Sequence, residues 1–69
     1  MKVSISVKGV KEEDIQHLLN RMRKSKLSIS LHSTNKRLDR VFAKDVDSNK
    51  VDSMKSYCAT IKAEIKVIQ

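Results

Sequence analysis

The side chains of this chain that could do covalent or acid–base chemistry are one cysteine, Cys58, and two histidines, His17 and His32. A nucleophilic cysteine needs a base within reach and a third group to orient it, and a zinc site needs several Cys or His ligands at short spacings. Neither arrangement is visible, and a chain whose single glycine is Gly9 has no glycine-rich phosphate loop. The sequence therefore predicts a protein that is not an enzyme and has no metal or cofactor, with Cys58 as a small buried apolar residue.

Positive charge is the stronger chemical signal. The 69 residues include 15 Lys and Arg against 8 Asp and Glu, a formal charge of +7, which attracts nucleic acid or an acidic protein surface. Because only Phe42 and Tyr57 are aromatic, we predict weak, salt-sensitive phosphate contacts without a stacking platform. The candidate nucleic-acid-binding residues form groups at the end of a first helix, at a hairpin and along the last helix: Arg21, Arg23, Lys24 and Lys26; Lys36, Arg37 and Arg40; Lys55, Lys62 and Lys66.

The length of the chain limits what it can bury. One domain, residues 1–69, of this size removes only about 60% of its unfolded surface from water, so a partner often adds stability. A single cysteine excludes an internal disulfide, and no apolar run approaches the roughly 20 residues that cross a bilayer. These features predict a soluble, cytoplasmic protein with no membrane partner.

Hydrophobic periodicity predicts the elements that position these residues. Apolar residues alternate over 3–7 and again over 27–31, as in half-buried strands. Between the two strands, an apolar stripe over 15–22 has helical spacing, with acidic residues in the first turn and basic residues in the last. Turn-forming residues at 33–36 then predict a hairpin, whose return strand over 38–43 would also suit a short helix.

The last part of the chain fits either a helix or a strand, because residues 61–67 also alternate. We favour one long helix from about Ser48, capped by Asp47 or Ser48, since no Gly or Pro interrupts it before Gln69. The predicted fold is then α+β, β-α-β-β-α, with a three-stranded antiparallel sheet and two helices packed on one face. The alternative is the ferredoxin-like order β-α-β-β-α-β. The stripe of the long helix, predicted as core, consists of Val51, Met54, Cys58, Ile61, Ile65 and Ile68.

Several short motifs in the second half of the chain have a recognisable spacing. A strand ends in Ala-x-Asp, a basic residue follows five positions after the Asp, and Ser-Tyr and Ile-Lys lie further along the predicted final helix. The positions concerned are Ala43, Asp45, Lys50, Ser56, Tyr57, Ile61 and Lys62. This pattern resembles the small non-catalytic subunit of the KEOPS complex, the Pcc/LAGE-type family. An Asp between a strand and a helix, as at position 45, is also typical of a turn or a cap.

The resemblance implies a subunit that dimerises through its sheet. In the typical member, the two helices lie against the threonylcarbamoyl transferase of a complex that modifies adenosine in tRNA. Three departures from the pattern lie on the helix that should dock there: Asn49-Lys50 replaces Leu-Arg, Lys55 replaces Asn, and Thr60 replaces a large aromatic residue.

A helical wheel of the predicted final helix also argues against direct docking on the transferase. Its large apolar side chains form one stripe roughly 120° wide, which must cover the sheet, so no second apolar face remains for a transferase. We therefore hypothesise a diverged archaeal paralogue that acts as an accessory subunit. It would pair with a typical KEOPS small subunit or with itself, contact the transferase indirectly, stabilise the assembly and add basic surface for tRNA. The alternative is a stand-alone nucleic-acid-binding protein.

Overall fold

The computed structural model describes residues 1–68 as a four-stranded antiparallel sheet with two helices on one face. The sheet order is β2-β3-β1-β4. The predicted α+β class and the hairpin are confirmed, and the element order is that of the ferredoxin-like alternative. The elements are β1 (Val3–Ser6), α1 (Glu12–Lys24), β2 (Ser28–Thr34), β3 (Arg37–Lys44), α2 (Ser48–Thr60) and β4 (Glu64–Val67).

Alternation along β1 and β3 decides which face of the sheet the helices cover. Val3 and Ile5 pair with Ala43 and Val41, and all four side chains are at most 1% exposed. Burying this apolar face against the apolar stripes of the helices is the main stabilising term available to so small a chain. The helix residues buried in this core are Ile15, Leu18, Leu19, Met22, Val51 and Cys58.

A two-residue turn joins β2 to β3. Its residues, Asn35 and Lys36, have φ values of 52° and 64°. Positive φ at both positions is typical of a type I′ turn, whose twist matches that of the flanking strands. The return segment predicted over 38–43 is therefore a strand, and a β-bulge between His32 and Ser33 adjusts the register near the turn.

The prediction of one long final helix is wrong, because α2 ends at Thr60. The backbone N–H of Ala63 donates to the Cys58 carbonyl at 2.9 Å, and that of Lys62 donates to the Ala59 carbonyl at 3.4 Å. These two bonds form a Schellman motif, with Lys62 in the left-handed region at φ 62°. Since glycine usually occupies this position, a lysine gives no visible stop signal. The end of the predicted helix at Gln69 lies outside the described residues.

β4 takes the edge of β1 that a three-stranded sheet would leave unpaired. Ile65 pairs with Ile5, and Val67 pairs with Val3. Because β4 lies at the edge, its apolar residues are covered only in part: Ile65 is half-buried, whereas Val67 is 44% exposed. The prediction of Ile68 as core is wrong, since this side chain is 51% exposed. Of the other predicted core residues, the buried ones are Val51 and Cys58, and the half-buried ones are Met54, Ile61 and Ile65.

Replacing Lys62 with glycine should stabilise the protein by about 0.5–1 kcal/mol, because glycine adopts positive φ without the steric penalty of a Cβ atom. If residue 62 were inside a helix, the same change would destabilise it by about 1 kcal/mol. The sign of the change in stability therefore shows whether α2 ends before residue 62. Urea unfolding followed by circular dichroism measures this change. The matched control is Lys55→Gly within α2, which should be destabilising; a loss of stability in both variants would contradict the observed helix end.

Candidate interaction surfaces

Three of the predicted functional residues meet where α1 lies beside α2. The Cζ atom of Arg21 is 4.4 Å from the centre of the Tyr57 ring, a cation–π geometry. The Lys50 ammonium donates to the backbone carbonyl of Ser25 at 3.3 Å, at the C-terminus of α1, where the helix dipole favours positive charge. Lys50 and Tyr57, two of the motif positions, therefore join the two helices within this chain.

A groove of about 250 Å³ runs along this junction. The helical wheel of a single helix predicts no second apolar surface. The groove, in contrast, takes its apolar lining from both helices and from Leu27, just before β2. It is therefore visible only once the helices are placed side by side. The residues that line it are Leu18, Arg21, Met22, Lys24, Ser25, Leu27, Lys50, Ser53, Met54 and Tyr57.

The remaining motif positions are spread over a strand, a helix and two turns. Ala43 is buried in β3, and Ser56 is exposed on α2. Asp45 directly follows β3 and has a left-handed backbone conformation, with φ 55°. It is a turn residue, and aspartate is one of the few residues besides glycine that adopt this conformation readily. Ile61 and Lys62 lie in the turn that ends α2, and the prediction that both belong to the helix is wrong.

The predicted basic groups do not form one patch. The first group ends just before β2 and the hairpin group begins just after it, so the length of this seven-residue strand, roughly 23 Å, separates them. The prediction that Lys55, Lys62 and Lys66 share one helix edge is wrong, because they lie on α2, in a turn and on β4. Arg40 is half-buried. The exposed members are Arg21, Arg23, Lys24, Lys26, Lys36, Arg37, Lys55, Lys62 and Lys66.

The sheet face opposite the helices, here called the open face, brings together residues from all four strands. Cross-strand pairing aligns them in rows that run from β2 to β4. The central row is Ser30, Phe42, Ser4 and Lys66; the next is His32, Arg40, Ser6 and Glu64; Ser28 and Lys44 form a third. No helix within residues 1–68 covers this face.

Arg40 and Phe42 occupy the centre of the open face. Nη1 of Arg40 donates to Oγ of Ser4 at 3.1 Å, and this diagonal bond holds the guanidinium over β1. Phe42 remains partly exposed in an inner strand because its cross-strand neighbours, Ser4 and Ser30, are small. Sequence reasoning missed this cluster, although the two-residue spacing of Arg40, Phe42 and Lys44 in one strand already places them on one face.

Cys58 is fully buried in the core, as predicted. Burial raises the pKa of its thiol because the apolar surroundings disfavour the thiolate. His17 and His32 are exposed, on α1 and on the open face respectively. Within residues 1–68, no group of three or more His, Cys, Asp or Glu side chains could hold a metal ion. No helix in the same range is long and apolar enough to cross a membrane.

Neither a protein-family model nor a curated protein matches this chain. The likeness to the KEOPS small subunit therefore depends on the short motifs given above. The ferredoxin-like order of elements occurs in proteins of many unrelated functions, so it does not select one. Function must be argued from the surfaces.

Proposed function

We propose that this protein is a non-catalytic accessory subunit that pairs with a subunit of similar fold through the outer edge of β2. The motif resemblance suggests the typical KEOPS small subunit as this partner, with a second copy of the chain as the alternative. The protein then acts in the cytoplasm, contacts the transferase only through its partner, and stabilises an assembly that modifies tRNA. The unpartnered edge of β2 is the observation that supports this proposal.

β2 is the longer of the two edge strands, with seven residues against four in β4. It is hydrogen-bonded to β3 on one side only, so the backbone groups on its other side have no strand partner among the described residues. Leu31 pairs with Val41 on the helix-covered face, yet it is 50% exposed. A strand added here would satisfy the backbone and cover Leu31.

The bulge limits where such a strand can add. It lies between His32 and Ser33, and a bulge breaks the regular spacing of backbone groups along an edge. The regular part of the edge is therefore 28–32, about 16 Å long. Leu31 lies within this part, so we expect it to be at the centre of the contact.

Light scattering after size-exclusion chromatography tests the pairing directly. A mixture of this protein and the KEOPS small subunit of the same organism should give the mass of a one-to-one complex at micromolar concentrations. Leu31→Lys should weaken the complex by about ten-fold or more, because it removes the central apolar contact and introduces a charge.

The matched control is His32→Lys, which adds the same side chain at the next position of β2 but on the opposite face. It should leave the complex nearly unchanged. If neither the mixture nor this protein alone gives the mass of a dimer, or if both variants behave alike, pairing through this edge is wrong.

A further inference from the structure

We propose that the open face of the sheet binds single-stranded RNA, with a base stacked on Phe42 and phosphates held by basic side chains around it. This site uses a sheet face, whereas the proposed pairing uses the backbone edge of β2 and the apolar side chain of Leu31. The two proposals can therefore fail independently.

Phe42 supplies the stacking surface. Its partly exposed ring lies on β3, an inner strand of the sheet, and the exposed Ser30 across from it on β2 leaves room for a planar group on that side. Ser4, the neighbour on β1, is only 4% exposed and accepts a hydrogen bond from Arg40, so the β1 side of the ring is already covered. Base stacking on an aromatic ring tolerates any base, because every base has a π face.

Three positive side chains on the strands of the open face lie around this ring. Arg40 and Lys44 are two residues away on either side along β3, roughly 7 Å each, and Lys66 is two strands away, roughly 10 Å. Glu64, in the outer row on β4, is the one carboxylate among the strand residues of this face. The excess of positive charge disfavours a second copy of the same face and favours an anionic occupant.

The chemistry of the face favours single-stranded RNA among anionic partners. In a duplex the base faces are hidden, so Phe42 would contribute nothing to binding. An acidic peptide would place carboxylates against the electron-rich ring. Ser28 and Ser30 are exposed on the β2 side, and their hydroxyls can exchange hydrogen bonds with the 2′-hydroxyl that distinguishes RNA from DNA.

One aromatic side chain and three cations define a short site. Three phosphate contacts on a single strand give a slope of about −2 for the logarithm of the binding constant against that of the salt concentration. Binding should therefore weaken roughly 15- to 20-fold between about 50 mM and 200 mM salt. The salt dependence agrees with the weak, salt-sensitive binding that the sequence predicts. The proposal departs from the sequence-based prediction in giving the site a stacking surface, because the sheet places Phe42 partly exposed among cations on the open face.

Fluorescence anisotropy with a labelled single-stranded RNA of about ten nucleotides, within the range that one small domain covers, tests the site. Phe42→Leu keeps an apolar side chain but removes the ring, and should weaken binding about ten-fold. Phe42→Tyr keeps the ring and should retain binding. Circular dichroism establishes that each variant is folded.

A matched pair of charge variants tests the cations. Lys66→Gln should weaken binding about three-fold and make the salt slope shallower by about 0.7, because one phosphate contact is lost. Lys55→Gln makes the same charge change on α2, which packs on the other face of the sheet, and should leave binding unchanged. Equal losses in both variants would overturn the site in favour of diffuse attraction.

Competing ligands give the remaining outcomes. Wild-type affinity in Phe42→Leu, or equal binding of duplex RNA, would overturn the stacked arrangement. Equal binding of a polyglutamate peptide would overturn nucleic acid as the occupant and indicate an acidic protein partner. Equal binding of single-stranded DNA would overturn the preference for RNA over DNA. Leu31→Lys should bind RNA normally, so a failure of the pairing proposal is distinguishable from a failure of this one.

Discussion

Replacing Ile5 with alanine is expected to lower the free energy of unfolding by about 2–5 kcal/mol. Ile5 is fully buried, and its strand lies in the interior of the sheet, where it pairs with Val41 on one side and Ile65 on the other. A chain of this length has a total stability of roughly 3–10 kcal/mol, so the variant should be largely unfolded or close to it. The cavity left at the centre of the core is the physical cause, because the surrounding residues can relax only in part.

Urea and thermal unfolding measure this effect, with two companion variants. Ile5→Val should lose only about 0.5–1.5 kcal/mol and stays measurable even if the alanine variant does not fold. Each kcal/mol should lower the midpoint temperature by about 4–8 °C in a domain of this size. Ser6→Ala, at the next position on the open face, should change stability by no more than about 0.5 kcal/mol. If Ile5→Ala were as mild as Ser6→Ala, β1 would not be the strand at the centre of the core.

The second large effect is expected from Ile65→Lys, which should lower the free energy of unfolding by about 2–3 kcal/mol. Ile65 is half-buried on the helix-covered side of β4, directly beside Ile5. Ile68→Lys introduces the same side chain three residues later, where the isoleucine is 51% exposed, and should change stability by about 0.5 kcal/mol or less.

This pair of variants separates the two structures that the sequence allows for the end of the chain. In one long helix, Ile65 and Ile68 would share a buried stripe, so both substitutions would be severe. In a strand at the edge of the sheet, only Ile65 faces the core. Thermal unfolding followed by circular dichroism gives the comparison, and equal large losses would contradict β4.

The sequence alone determined the elements whose local signals agree with one another. α1 has an apolar stripe with acidic residues at its start and basic residues at its end, and the structure places it at Glu12–Lys24. The hairpin was predictable because turn-forming residues, among them Asn35 and Lys36 of its turn, follow the alternating segment over 27–31. The burial of Cys58 and Val51 was also predictable, because both lie on the same face of any helix that begins near Ser48, and this face turns towards the sheet.

Only the tertiary structure decided the segment after Thr60 and the composition of the open face. Residues 61–67 fit both the helical and the strand periodicity. The strand forms because the free edge of β1 offers backbone groups that β4, about sixty residues further along the chain, can hydrogen-bond. Likewise, the register that aligns Phe42 with Ser4 and Lys66 joins three strands that are distant in sequence. Local sequence patterns indicate which side of an element is apolar. Contacts between residues distant in sequence decide which elements meet and in which register.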